Sequence, residues 1–265
     1  MLKTNRSLER GLVLLRHLEQ RGPATLSTLA RQAGLHKATA SRLLLTLAVE
    51  GWIYRRHNDG HYIATLPQAA PKPEPDRGGI ARAALPYLVD LTAVTGLAAD
   101  LTWVLGAGVL EVIESTRTSQ VEGVDPKVAG FRPSLIFSAP GRALLAASDA
   151  SARAGHLAHI ARMDSPAERL AVTGGRLAAE LAATRHRGYG QRAAGYWPQS
   201  SDYGQEPMDI AVPIIENGAP RGCLSLVWPA ILYDIAAIAT ANLGLMRETA
   251  RAIARAVAAD PSLGR

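Results

Sequence analysis

The sequence predicts a two-domain α+β protein, and three observations predict it. Residues 25–63 read as a short helix, a tight turn, a longer basic helix and a charged hairpin. Residues 67–79, PQAAPKPEPDRGG, are so rich in proline and charge that they favour an extended linker. Beyond them, strand-like runs with hairpin signals lie between amphipathic helices, the pattern of a mostly antiparallel sheet packed by helices. The expected division is residues 1–66, a linker at 67–79, and residues 80–265. With 265 residues and 48% apolar side chains, two cores are affordable.

The N-terminal elements follow in order. Leu8, Leu12, Leu15 and Leu18 repeat as one helix face, and Arg21-Gly22-Pro23 ends that helix. Thr25 or Ser27 can cap a second helix whose inner positions are Leu26, Leu29, Ala30 and Ala33. Gly34 suits a positive-φ helix end, and Leu35 can plug the turn. A third helix runs from about Lys37 to Glu50, with Ala40, Leu43, Leu44, Leu47 and Ala48 inward. Trp52, Ile53 and Tyr54 start a strand, Asn58-Asp59-Gly60 signals a hairpin turn, and Tyr62 and Ile63 return. Trp52 and Tyr54 are expected in the core of this hairpin.

That layout is a winged helix-turn-helix. Its third helix would enter the major groove and its hairpin would meet the backbone or minor groove. His36, Lys37, Thr39, Ser41 and Arg42 line the outer face of the first turns, where short donors and cations can reach bases and phosphates. His36 could instead cap the turn. Arg55 and Arg56 flank the hairpin turn as candidate phosphate contacts. Charge agrees with this placement. Residues 1–70 hold ten Lys/Arg against four Asp/Glu, whereas residues 71–265 hold nineteen of each. The whole basic excess lies in the candidate reader, so double-stranded DNA is the expected partner.

In the second domain, Ile80–Thr95 reads as a helix with a kink at Pro86. Ala98–Leu105 and Val109–Glu114 read as strands, and residues 118–131 as a loop or short helix. Ser134–Phe137 reads as a third strand. Gly141–Ala147, residues 149–162 and Ala167–His186 read as helices. Strands are expected at 188–196, Met208–Ile215 and Gly222–Trp228, with Asn217-Gly218 a hairpin turn, before a final helix at Ile235–Ala258.

The remaining composition narrows the function. Cys223 is the sole cysteine, so no intramolecular disulfide forms, a reducing cytoplasm is expected, and the thiol reads as a small buried strand residue. The N-terminus lacks a signal-peptide core and no run of about 18 apolar residues occurs, so no membrane association is expected. Phosphate-loop, nucleophile-elbow, zinc-protease and dinucleotide motifs are absent; an enzyme and a cofactor are not expected. His156 and His159 lie three apart on a helix, but no third ligand accompanies them, and no metal is expected.

The chain resembles the IclR-type bacterial transcriptional regulators through SLERGLVLLRHL, LARQAGLHKATASRLLLTLAVEGWIYR, SAPGRALLAA, HRGYGQ and DIAVPIIENGAPRGCLSLVWPA, in that order. Within that family it looks closest to regulators of aromatic-acid catabolism. The resemblance implies a GAF-like/profilin-like effector domain, homodimers through the DNA-binding domains, tetramers on a palindromic operator, and a small organic acid as effector. By position it implies that Ala139 and Pro140 touch the ligand, with Asp209, Ser225, Val227 and Trp228 on the strands; a further position falls near Ser200–Asp202. Val227 replaces a polar residue, which suits a larger, partly apolar or aromatic effector. Asp209 would repel a carboxylate unless protonated or paired, and Arg132, Arg142 or Arg192 could hold one. The alternatives are a constitutive repressor whose second domain only oligomerises, or a metabolic enzyme or carrier with an appended DNA-binding domain.

Overall fold

The computed structural model describes residues 5–65, 76–106, 108–117, 128–162, 166–173, 175–196, 207–260 and residue 263. The N-terminal part holds α1 (Arg6–Arg21), α2 (Leu26–Gln32), α3 (Lys37–Val49), β1 (Ile53–Arg55) and β2 (Tyr62–Ala64). Asn5 and Thr25 cap the first two helices by accepting backbone N–H groups with their side chains. Gly34, at φ +63°, turns the chain between α2 and α3 in a region that strains any residue with a Cβ. The Leu35 N–H then donates back to the Ala30 carbonyl at 2.8 Å, fixing the entry to α3.

These elements close over Leu14, Leu15, Leu18, Leu29, Ala40, Leu44 and Ile53. Burying each leucine or isoleucine contributes about 1.5–3 kcal/mol, so this small core suffices to fix the helix angles. The α1 face differs from the expected stripe: Leu8 and Leu12 are 62% and 47% exposed. The buried stripe centres on Leu14 and Leu18, which leaves Leu12 on its flank and Leu8 a turn beyond. β1 and β2 form an antiparallel wing, and Ala24 joins it by bridging to Tyr62.

The second part holds α4 (Arg77–Thr95), β3 (Ala98–Gly106), β4 (Val109–Ser115), α5 (Ala139–Ala147), α6 (Ala150–Arg162), α7 (Pro166–Thr173), α8 (Arg176–Arg187), β5 (Gly190–Gln191), β6 (Pro207–Glu216), β7 (Ala219–Pro229) and α9 (Ile235–Ala258). The five strands form an antiparallel sheet in the order β4-β3-β7-β6-β5. This is the expected α+β class. The β6–β7 hairpin turns at Asn217-Gly218, both at positive φ, as the sequence signal required.

Several expected elements change. Ser134–Phe137 is a loop and turn, because Ser134 directs its side chain at the Ile136 and Phe137 N–H groups. The helix expected at Ala167–His186 is two, α7 and α8, parted near Gly175 at φ +74°. The strand expected at 188–196 shortens to Gly190–Gln191. α4 begins at Arg77, capped by Asp76, and so takes in the last residues of the expected linker. The expected loop at 118–131 lies outside the described residues up to 127.

Strand alternation gives the sheet two faces. Ala99, Leu101, Trp103, Ile210, Val212, Ile214, Leu224, Leu226 and Trp228 face α4 and α9 in the larger core. Ala211 and Cys223 face α5, with Leu135, Leu144 and Leu181. α5 lies close on the sheet because Gly190 has no side chain. A Cβ there would fall on the Ala139 carbonyl and 2.7 Å from the Ala143 nitrogen.

The wing contacts the second domain at the buried Glu114 carboxylate, which accepts from both Tyr54 and the His57 backbone N–H. The Tyr54 hydroxyl donates to the fully buried carboxylate of Glu114 on β4, which also accepts the Ser115 N–H at 2.9 Å. Tyr54 was expected inside the wing alone; it is buried, but its polar tip crosses to the other domain. Trp52 stays 38% exposed. Burial pushes the Glu114 carboxyl above its ordinary value of 4.5. The folded chain therefore holds this proton more tightly than the unfolded chain. Its contribution is full below about pH 4.5 and declines as pH rises towards the elevated folded value. Glu114→Gln keeps a carbonyl acceptor for Tyr54 and removes the charge. It is expected to raise the Tm at pH 7 and flatten the pH dependence, read by calorimetry between pH 4 and 8. A Tm curve matching wild type at every pH would show that the buried carboxylate carries no penalty.

Candidate DNA-contact surface and effector site

The first turns of α3 present His36, Lys37, Ser41 and Arg42 to solvent, with Thr39 half-buried beside them. Ala40 and Leu44, on the opposite face, are fully buried and hold the helix against α1 and α2. His36 sits at the N-cap position of α3 without a side-chain capping bond. The sequence-predicted helix residues are therefore brought together on one exposed surface.

The two wing arginines part company. Arg55 is exposed, donates to the Gly60 carbonyl at 3.2 Å and lies over the Tyr62 ring at 5.8 Å. Arg56 departs from the expected phosphate contact. It is 7% exposed, and its guanidinium donates to Asp59 at 2.7 Å, so its charge is neutralised inside the wing. Arg56 follows the last residue of β1, where the chain enters the turn and its side chain folds in on Asp59.

In the second domain the sheet face under α5 is polar at its centre. Ser138 caps α5 and accepts the Gly141 N–H, placing Ala139 and Pro140 in buried positions over the sheet. The Cys223 thiol donates to the Pro140 carbonyl at 3.2 Å. Ser225 is 2% exposed, and its Oγ has no hydrogen-bond partner among the described residues. In register it lies between Asp100 on β3 and Ala211 on β6. A buried hydroxyl left without a partner costs about 1–3 kcal/mol, so this position asks for an explanation.

Two ion pairs flank Ser225. Arg117 grips Asp100 with Nε on Oδ1 at 3.1 Å and Nη2 on Oδ2 at 2.5 Å, and the Ser115 hydroxyl donates to Oδ1 at 2.7 Å. Arg192 directs both Nε and Nη2 at a single oxygen of Asp209, Oδ1, each at 2.8 Å. Asp209 is paired, as its repulsion of a carboxylate would demand. It stands opposite Val227, which shares this face with Ala98. The Phe137 and Tyr196 rings meet at 5.8 Å, and the Tyr196 hydroxyl accepts the Ser134 N–H at 2.9 Å. Burial raises the Tyr196 phenol, with Arg192 and Asp209 both within electrostatic reach.

Trp228 does not join this group. It points to the opposite face, packs with α4 and α9, and donates its indole N–H to the Tyr233 carbonyl at 3.0 Å. Residues 225 and 227 share a face, and strand alternation sends 228 to the other. Among the candidate arginines, Arg132 is 64% exposed and pairs with Glu111. Arg142 is held by the Ile136 and Gln191 carbonyls, leaving Arg192 as the one beside Asp209. Ser200–Asp202 lie outside the described residues. Sequence reasoning missed Asp100 and Arg117. The available signal was Asp100 itself, an acid inside the apolar run AADLTWVL.

Residues 7–57 match the model of the IclR helix-turn-helix domain. The chain carries an IclR helix-turn-helix domain. Solved structures of similar fold extend the likeness beyond it. Thermotoga maritima IclR is 19% identical, with 94% of this chain and 98% of that one covered and a TM-score of 0.51. A transcriptional regulator described as putative from Rhodococcus sp. RHA1 is 21% identical, with 97% and 99% covered and a TM-score of 0.52. An IclR homologue from Microbacterium hydrocarbonoxydans, solved in complex with 4-hydroxybenzoate, is 20% identical, with 96% and 100% covered and a TM-score of 0.52. At these identities the likeness speaks for the fold. Residues 7–57 thus form an IclR-type helix-turn-helix domain, and the chain as a whole shares the fold of these structures. Among the described residues, no helix is long and apolar enough to cross a membrane, and no group of three or more side chains could hold a metal ion.

Proposed function

We propose that the protein is a cytoplasmic, ligand-responsive regulator of a catabolic operon, with a small aromatic or related organic acid as effector. The carrying observation is the buried Ser225 hydroxyl, without a partner among the described residues, on a polar sheet face beneath α5, in a chain that carries an IclR helix-turn-helix domain. The 4-hydroxybenzoate held by the Microbacterium hydrocarbonoxydans homologue supports the effector class. His36, Lys37, Thr39, Ser41, Arg42 and Arg55 form the proposed DNA surface. Two readers related by a two-fold axis would meet a palindromic operator, and the exposed Leu8 and Leu12 suit contact with a second copy. An effector acts by favouring one arrangement of the paired readers.

Thermal-shift titration with aromatic and keto acids tests this reading, because a ligand that binds only the folded state raises its Tm. A shift with at least one acid is expected, together with a changed operator affinity in gel shift. No shift with any acid, alongside normal operator binding, would leave the second domain as an oligomerisation module. Ser225→Ala sharpens the test. Removing a hydroxyl that lacks a partner should leave the ligand-free Tm unchanged or raised, while the acid-induced shift shrinks and operator binding persists. A lower ligand-free Tm with the acid response intact would remove Ser225 from the site.

A further inference from the structure

The two ion pairs beside Ser225 differ in quality. Asp100 and Arg117 meet fork on fork, oxygen for nitrogen, with Ser115 bracing one oxygen. Such bidentate pairs are the strongest form of the contact. Asp209 offers Arg192 only one oxygen, on which both Nε and Nη2 converge. A ligand carboxylate that gave each nitrogen its own oxygen would improve on it.

The positions are equally suggestive. Asp209 faces Val227, and Ala211 faces Ser225, so Asp209 and Ser225 are diagonal neighbours on adjacent strands. Such neighbours lie about 7–8 Å apart, the span of one aromatic ring with polar groups at either end. Arg192 projects from the segment after β5, whose Ala193 N–H donates to the Phe137 carbonyl at 2.8 Å. The Tyr196 ring, which packs against Phe137, is within electrostatic reach of Arg192.

We propose that Asp209 is a built-in competitor for the effector's carboxylate on Arg192, and so sets the concentration at which an organic acid is sensed. This inference rests on the effector reading of the same sheet face. In the ligand-free protein Asp209 holds Arg192 in place and keeps its charge neutralised. An acid binds by taking Arg192 from Asp209, with its ring against Phe137 and Tyr196 and its far polar group at Ser225. The affinity measured is then the difference between two carboxylates on one guanidinium. A neutral analogue lacks the group that competes and is indifferent to Asp209.

The test is calorimetric titration of the full-length protein with benzoate, 4-hydroxybenzoate and the neutral 4-hydroxybenzamide. Wild type, Asp209→Asn and Arg192→Gln are compared, each checked for folding by circular dichroism. Asp209→Asn is expected to bind both acids about tenfold more tightly, the scale of one charge-assisted contact, with amide affinity unchanged. Arg192→Gln is expected to lose the acids and keep the amide. If wild type binds acid but Asp209→Asn binds it equally or more weakly, Asp209 is no competitor, and the effector reading survives alone. If Arg192→Gln binds acid like wild type, the assignment of Arg192 falls. If neither wild type nor Asp209→Asn binds any of the three compounds, the inference and the aromatic-acid reading fall together. Should Asp209→Asn not fold, Asp209→Ser replaces it, and if that also fails Arg192→Gln decides alone.

Discussion

Replacing Arg117 with alanine is expected to destabilise the protein by about 3–5 kcal/mol, the range for breaking a buried pair and leaving one charge behind. Both side chains are 6% exposed, so neither can recover its lost partner from solvent. Asp100 would keep only the Ser115 hydroxyl on Oδ1, and Oδ2 would lose its donor. The Arg117 backbone N–H donates to Ser115 Oγ at 3.0 Å, a bond that alanine retains, so the loss is confined to the side-chain pair. Domains are commonly stable by about 5–15 kcal/mol, so a single change of this size removes a large share of the total. Urea unfolding at pH 7 reads it directly. The double variant Asp100→Leu with Arg117→Leu should recover much of the loss, because no charge is then buried alone. A loss below about 1 kcal/mol in Arg117→Ala would show the pair to be solvated in solution, as exposed pairs are.

The second large effect is on DNA. Arg42→Ala is expected to weaken operator binding by about 1–3 kcal/mol, roughly tenfold to hundredfold, if the guanidinium reaches a base edge. Arg42 is exposed on α3, one residue after Ser41 and two before the buried Leu44 that fixes the helix. Truncating it should therefore leave the fold intact. Fluorescence anisotropy across a salt series separates the two possible contacts. Loss of a phosphate contact lowers the slope of log affinity against log salt by about one, whereas loss of a base contact relaxes sequence preference. Arg56→Ala provides the contrast. Its cation is paired with Asp59 inside the wing, so the change should lower wing stability and leave the salt slope alone. Unchanged affinity in Arg42→Ala would take that side chain out of the interface.

Local rules carried the N-terminal domain a long way. Helical spacing put Leu29, Ala30, Ala40 and Leu44 in the core, and Gly34 and Asn217-Gly218 fell at turns needing positive φ. These features depend on a few consecutive residues, so sequence displays them. The same rules, applied more strictly, would have parted Val227 from Trp228, since neighbours in a strand face opposite ways. Ser134–Phe137 looked like a strand because its residues suit one, yet the Ser134 hydroxyl offers the backbone a competing set of hydrogen bonds. The ion pairs at the proposed effector site belong to another class. Asp100 and Arg117 are seventeen residues apart, as are Arg192 and Asp209, and the pairing of β3 with β4 and of β5 with β6 brings each pair together. No spacing rule foretells which arginine finds which acid.

Cys223 lies at the centre of β7 under α5, fully buried, with burial pushing its thiol well above the ordinary range. Thiolate is the reactive form, so maleimides and disulfide reagents should pass over it. For spectroscopy the wild-type chain is thus already a blank. A cysteine introduced near the wing tip at exposed His57 can carry a fluorophore or spin label without first deleting the native thiol. With copies paired as proposed, distances between their labels, read with and without an acid, would turn the arrangement of the two N-terminal domains into a directly measured length.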